Sequence, residues 1–544
     1  VNRVEFNRTL KRASDIKAVP LTASALRQMS ASARPAKFND PHLGLQWHMV
    51  NNGDLGETKF IAGADVNVEK AWDLCTGNPS VIVAVLDEGV DFSHPDLKGS
   101  MWINEDEVWR SDEDNDGNGY AGDYYGYNFA AGNGIIATNG RYDTGHGTHV
   151  AGVIAATNNN GIGISSIAGG TEADPGVKIM SCQIFSGALA GTVLDEVRAI
   201  KYAADNGAVV LQCSWGYISG AANPYDWQPQ FSDDDQWKNS NILEYKALDY
   251  FVHNAGSPDG VIDGGIVVFA AGNEYAPAAS YPAAYPEFIS VAATAADYTP
   301  AVYTNYGKGT TICAPGGDQD YYYEYGDGPN KGALGCILST LPYNVTGSAG
   351  ELAGYGYMEG TSMACPHVSG VVALGLSYAA RLGRHVKAEE VKDLLYSTAR
   401  PVEPYWDMDN LKHFYKFVAD LSEVHYSSMD LRDYMGKMGR GQVDAYAFLQ
   451  AIAGAGVEMT FPNLYLALGS QVTVNPAMYF RKGAGTYTVV FDDNDIASYA
   501  ADGDRLVFFG EKEGQTGAVI TSDSGESFRF TITVRNTANG NGWL

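Results

Sequence analysis

Three short stretches hold side chains suited to acid–base and nucleophilic chemistry. The apolar run Val81-Ile82-Val83-Ala84-Val85-Leu86 ends in Asp87, followed by Glu88-Gly89-Val90-Asp91. An acid just past a buried parallel strand sits where open α/β sheets build their sites, although turns and helix caps use the same residue type. His146 lies 59 residues on (146 − 87), between two glycines in Asp143-Thr144-Gly145-His146-Gly147-Thr148-His149. Glycines there let backbone approach the ring closely. His146 and His149 at i and i+3 have no HExxH pattern and no third ligand nearby, so His149 reads as a packed helical residue, as does His367. Ser362 comes 216 residues later (362 − 146), in Gly360-Thr361-Ser362-Met363-Ala364-Cys365-Pro366, ahead of an apolar segment through Leu376. A serine opening a helix has its hydroxyl and N–H at the positive end of the dipole; a plain capping serine is the alternative. Pro366 is expected in the first turn, where no helical donor is lost. Cys365, three residues inside the helix, is expected to face the core.

The three stretches, in the order Asp, His, Ser, resemble the signatures of the subtilase family of serine peptidases, across residues from about 40 to 450. Asn273, in Phe269-Ala270-Ala271-Gly272-Asn273-Glu274, matches the family's oxyanion asparagine. The resemblance implies a secreted, bacterial-type serine endopeptidase acting on proteins or peptides. Ser362 would attack the carbonyl, His146 would take and return the proton, and Asp87 would hold the imidazole tautomer. Asn273 and the Ser362 N–H would meet the oxyanion. By the same resemblance Ser214-Trp215-Gly216 and Ala270-Ala271-Gly272 line the primary specificity pocket, and Phe185-Ser186-Gly187 offers an edge strand to the substrate backbone. Trp215 stands where smaller aliphatic residues are usual. Neither pocket segment contains an acid, so a broad apolar or aromatic preference is expected. A catalytically silent binding scaffold is the alternative of another class; the intact catalytic set argues against it.

The stretch Asp112-Glu113-Asp114-Asn115-Asp116-Gly117-Asn118-Gly119-Tyr120-Ala121-Gly122-Asp123 places acids at positions 1, 3, 5 and 12 and glycine at 6. Oxygen ligands alternating around a sharp glycine turn suit Ca²⁺, with Asp112, Asp114, Asp116 and Asp123 as ligands; the final Asp and the lack of flanking helices exclude an EF-hand. An unliganded turn-rich loop is the other reading. By family analogy, a weaker second site would join Asp96 to the Thr157–Ile164 loop, where Asn160 looks inserted.

The elements that position these residues are legible from periodicity. Val81–Leu86, Lys178–Ile184, Ala208–Cys213 and Ile266–Ala270 are too apolar for one-sided strands and read as buried parallel strands. Helical segments Asp195–Asn206 and Asn241–Asn254 alternate with them, which predicts a doubly wound α/β sheet. After Gly456 come short alternating strands without helix (464–468, 471–474, 486–490, 528–534), predicting a small β-sandwich that resembles bacterial immunoglobulin-like modules. Three regions follow: a basic N-terminal segment 1–37, a peptidase-like domain 38–456 and a sandwich 457–544. Long insertions at Ile218–Ser240 and Asp318–Met358 interrupt the second. The first insertion, with Asp226, Trp227, Asp233, Asp234, Asp235 and Trp237, either walls the cleft or is a solvated acidic loop.

Residues 1–37 carry eight cations against Glu5 and Asp15, whereas the whole chain has 36 basic and 64 acidic residues, net −28. The segment reads as docking on acidic surface, as a pro-region remnant or as a solvated tail. So negative a field repels nucleic acid and anionic lipid, and it favours cationic peptides through association. No run approaches the roughly 18 consecutive apolar residues of a membrane span, and the opening VNRVEFNRTL lacks the apolar core of an export signal. Six cysteines in no metal-ligand spacing read as buried small hydrophobes with at most one or two bridges. A monomer is expected.

Overall fold

The structure is a computed structural model; it describes residues 18–21 and 37–535, apart from 54–58, 141, 188, 220–229, 326–330, 347–352, 419–422, 455–460, 462, 475, 477–479, 481–485, 504 and 524. The apolar runs form strands β1 (Ile82–Glu88), β2 (Gly126–Asn128), β3 (Lys178–Ser186), β4 (Leu189–Ala190), β5 (Ala208–Cys213), β6 (Ile266–Ala270), β7 (Ile289–Thr294) and β8 (Ile312–Pro315). They make one sheet in the order β8-β7-β6-β5-β1-β3-β2, parallel throughout, with β4 folded back antiparallel on the end of β3. From β1 the chain builds outward to β2 and β3 on one side, then crosses to β5 and beyond on the other. The order therefore reverses at β1, and the carboxyl end of that strand is the crevice in which such sheets place ligands.

Both faces are covered, which is why the strands lack polar alternation. Val83 and Val85 pack with residues of helices α1 (His146–Ala155) and α4 (Thr361–Arg381). Ala84 and Leu86 pack on the other face with α2 (Val193–Asp205) and α3 (Ile242–Asn254). Side chains alternate along a strand, so Asp87 follows Val83 and Val85 to the face of α1 and α4. Helix α4 is long and apolar enough to cross a bilayer, but 89% of its most apolar window is buried inside the protein, as befits a helix at the centre of the core. Helix α2 begins one residue after Thr192, which forms a reciprocal capping box with Asp195.

The N-terminal segment touches the domain where it is described. Val19–Pro20 pairs antiparallel with Tyr357 and Gly356, Leu21 is buried, and Lys37 pairs with Asp73. The other basic residues, through Arg34, lie outside the described residues. In the second insertion, Ile337–Thr340 and Tyr355–Met358 form the hairpin that Val19–Pro20 extends. The C-terminal strands form a four-stranded and a three-stranded sheet around one core that includes Phe508, Ile520 and Ile532. Burial alternates along Tyr487–Phe491, the one-sided pattern expected of a sandwich. The expected boundary at 456–457 lies outside the described residues. All six cysteines are buried free thiols.

Candidate active site

Asp87, the second-last residue of β1, meets the first residue of α1. His146 Nδ1 lies 2.8 and 2.9 Å from the two Asp87 carboxylate oxygens, and both side chains are largely buried. An imidazole donating from Nδ1 carries its lone pair on Nε2, so the carboxylate sets the tautomer. The glycine after His146 is required by packing, because a Cβ on Gly147 would collide with the Glu88 carbonyl. Glu88 itself faces the same turn, where its carboxylate accepts from the N–H groups of Thr144, Gly145 and His146 at 2.9, 3.0 and 3.2 Å.

Ser362 is the second residue of α4, its Oγ donating to the Ser214 carbonyl at 3.3 Å. Pro366 does not lie in the first turn as expected. It is the sixth helical residue, so its missing N–H leaves the Ser362 carbonyl without an i+4 donor. Ser214 Oγ supplies the replacement, donating to that carbonyl at 2.8 Å and accepting from Gln212 Nε2 at 2.7 Å. Gln212 Oε1 in turn accepts from Ser369 Oγ and Cys365 Sγ, at 2.5 and 3.3 Å. A buried polar string thus locks β5 to the helix that presents Ser362. Cys365 faces this string, and burial pushes its thiol up to about 12, so it is no nucleophile.

Asn273, three residues beyond β6, accepts at Oδ1 from both the N–H and the Oγ1 of Thr361, each at 2.8 Å. With Oδ1 bound to the residue before Ser362, the carboxamide N–H groups point away from that contact. Asp87, His146, Ser362 and Asn273 therefore come from strand end, helix start, helix start and loop, gathered at the carboxyl edge of the sheet.

Residues 78–415 match the Subtilase family. This chain belongs to that family. It is 31% identical over 364 residues to halolysin of Haloferax mediterranei, a match that covers 66% of this chain and 52% of halolysin. It is 33% identical over 369 residues to an extracellular protease of Xanthomonas campestris pv. campestris, covering 66% and 53%. A solved protease of Pseudoalteromonas arctica is 25% identical, with TM-score 0.48, covering 76% of this chain and 99% of that one. The subtilase spans about half the length of the curated relatives it matches.

The other expected site residues are placed unevenly. Ser214, Ala270 and Ala271 are buried, whereas Gly216 and Gly272 are partly open. Trp215 is only 4% exposed; its indole donates to the Leu86 carbonyl at 3.1 Å and its ring meets Phe269 edge-on beneath the sheet. It packs in the core on the face of the sheet covered by α2 and α3. Trp237 is likewise fully buried, donating to Glu244 at 2.9 Å, while Asp226 and Trp227 lie outside the described residues. Asp233 and Asp235 are exposed around the start of the helix Asp234–Ser240. His149 and His367 are buried as expected, bonded to Ile337 and Gly356 carbonyls and to His48 and the Met363 carbonyl respectively.

In the acidic loop, ligand oxygens of Glu107, Asp114 and Asp116 lie within 4.8 Å of one another. Glu107 precedes the 12-residue pattern and carries no local signal in the sequence. Its Oε1 accepts from Asn115 N at 2.7 Å, whereas its Oε2 is buried without a hydrogen-bond partner. Asp112 is exposed and stands apart from that cluster, and Asp123 is buried with its Oδ2 accepting from Tyr202 OH at 2.6 Å. Asp96 accepts from Asn160 Nδ2, Ile164 N and Tyr355 OH at 2.8, 3.1 and 2.9 Å. Asn160 thus presents a donor to Asp96, where a cation ligand would present an oxygen.

Proposed function

We propose that this subtilase is an extracytoplasmic serine endopeptidase whose acyl-enzyme forms on Ser362. The observation that carries the reading is the Asp87–His146 pair, with Nδ1 2.8 Å from the carboxylate, at the crevice where α4 presents Ser362 beside Asn273. Ser362 Oγ attacks the peptide carbonyl carbon while His146 Nε2 takes the hydroxyl proton. Asp87 stabilises the resulting imidazolium and remains ionised. The oxyanion is met by the Asn273 carboxamide and the Ser362 N–H, the latter at the positive end of a 21-residue helix. When the tetrahedral adduct collapses, the C–N bond breaks and the proton on His146 passes to the departing amine. Water then attacks the ester, its proton passing through His146 back to Ser362 Oγ. The names of the relatives, among them an extracellular protease, support an extracytoplasmic location.

The residue inventory also supports a structural Ca²⁺ held by Glu107, Asp114 and Asp116. A buried carboxylate oxygen without a donor, aimed among acids, is what a hard cation satisfies. Its contribution is to neutralise the cluster and brace the loop, not to enter the reaction. We read 38–456 as the peptidase domain and 457–544 as an immunoglobulin-like module. A fluorophosphonate probe should label wild-type protein at Ser362 and leave Ser362→Ala unlabelled. Cleavage of casein by Ser362→Ala at the wild-type rate would refute the reading.

A further inference from the structure

Asn305 lies between β7 and β8, is 0% exposed, and directs its side chain at the loop that carries Asn273. Its Oδ1 accepts from the N–H groups of Glu274 and Ala276 at 3.0 and 2.9 Å. Its Nδ2 donates to the Ala271 carbonyl at 3.0 Å and to Glu274 Oε2 at 2.6 Å, and reaches Ser219 Oγ at 2.7 Å. Its own N–H donates to the Gly272 carbonyl at 3.0 Å. The contacts therefore bracket Asn273 from both sides, at residues 271 and 272 before it and 274 and 276 after it.

Two backbone features explain why that loop needs an external brace. Tyr275 has φ 57°, a left-handed conformation that a side chain with Cβ adopts at a cost, and the two N–H groups held by Asn305 Oδ1 flank it. Gly272 has φ 113°, and a Cβ there would collide with Asn305 Nδ2, so the glycine and the asparagine fit only together. The far end of Asn273 is held separately, by Thr361 on Oδ1. Backbone clamp and side-chain clamp together leave the carboxamide one direction for its N–H groups.

We infer that Asn305 is the positioning residue of the oxyanion-binding loop, holding residues 271–276 so that Asn273 meets charge as it develops on the substrate carbonyl. The inference rests on the peptidase reading above. A preorganised donor acts mainly in the transition state, so misplacing it lowers kcat far more than it raises KM.

The test is a double-mutant cycle between Asn305→Ala and Asn273→Ala, read on a fluorogenic peptide that the wild type cleaves. Asn305→Ala should lower kcat by about 10- to 100-fold with KM within about threefold, a fraction of the roughly 100- to 1,000-fold loss of a deleted oxyanion donor. On the Asn273→Ala background the same change should alter kcat by less than about threefold, because the group it positions is gone. If Asn305→Ala does not fold, Asn305→Ser, which keeps a short polar side chain able to donate and accept, takes its place in the cycle. Equal kcat losses on both backgrounds, or a rise in KM alone, would overturn the positioning role. Ser362→Ala separates the two levels: activity surviving in it overturns the peptidase reading, and the inference with it. An inactive Ser362→Ala with an additive cycle overturns this inference alone.

Discussion

Replacing Lys412 by methionine should destabilise the protein in a way that depends on pH. Lys412 Nζ donates to Asp318 Oδ2 at 2.7 Å and to the Pro300 carbonyl at 2.6 Å, and stands 4.2 Å over the Tyr321 ring. The side chains of the pair are 1% and 0% exposed. Burial holds the Asp318 carboxyl above its ordinary range even with the cation in place, so desolvation outweighs pairing. Methionine keeps most of the volume but leaves Asp318 charged in the core. The cheapest escape is protonation, which at pH 7 costs about 4 kcal/mol for an acid of ordinary pKa near 3.8 and only about 1.6 kcal/mol at pH 5. This agrees with the roughly 3–5 kcal/mol found when one partner of a buried pair is removed. At about 2.1 cal/mol/K per residue over roughly 400 residues, 4 kcal/mol is a fall in Tm of about 5 °C. Urea and thermal unfolding of Lys412→Met should be measured on the Ser362→Ala background, so that unfolded chains are not digested. The loss should shrink by about 1.4 kcal/mol for each unit from pH 7 to pH 5. Adding Asp318→Asn should abolish that slope without restoring full stability, since Asp318 also accepts from Val302 N and Tyr321 N and one amide oxygen serves only one well. A loss under about 1 kcal/mol at pH 7, or an equal loss at pH 5 and pH 7, would refute the reasoning.

Stability itself should peak between about pH 4.5 and 6.5. Burial lowers His149 to about 3 and His367 to about 4, so their contribution is complete above the ordinary histidine value and is lost as pH falls, at about 1.4 kcal/mol per unit for each proton. Burial raises Glu244 to about 7 and Glu359 to about 8, so theirs is complete below the ordinary carboxylate value and is lost as pH rises through 7 to 8. A Tm of Ser362→Ala still climbing between pH 7 and 8 would contradict this. Calcium at about 100 times its Kd should stabilise the wild type by about 2.7 kcal/mol, and Glu107→Gln should abolish that increment. Calorimetry with and without chelator decides it; an unchanged increment in Glu107→Gln removes Glu107 from the ligand set. With a net charge of −28 and exposed Asp233 and Asp235 in the insertion that follows Ser214-Trp215-Gly216 in the chain, peptides with basic flanks should show higher kcat/KM than acidic ones at low salt. The gap should close with salt, as exposed charges are screened beyond about 8–10 Å; equal values at low salt would dispose of the electrostatic claim.

What the sequence determined by itself was local in origin. Asp87, His146, Ser362 and Asn273 each stand at the end of an apolar run, and the run's period says strand or helix before any contact is known. The four buried strands and helices α2 and α3 were legible for the same reason, to within about two residues at their ends. Tertiary structure alone decided which long-range partner each side chain met. Trp215 reads in the chain as part of a pocket segment, and only the fold shows it two residues past β5, packed under the sheet against Phe269. Pro366 reads as harmless at a helix start, but it sits one turn deeper, and only the arrival of Ser214, 148 residues away, satisfies the carbonyl it orphans. Glu107 joins Asp114 and Asp116 through a turn no ligand pattern includes, and Asn305 reaches the Asn273 loop from between two later strands. Local periodicity records which face a residue occupies. It holds no record of what lies opposite, because that is settled when layers far apart in sequence close on one core.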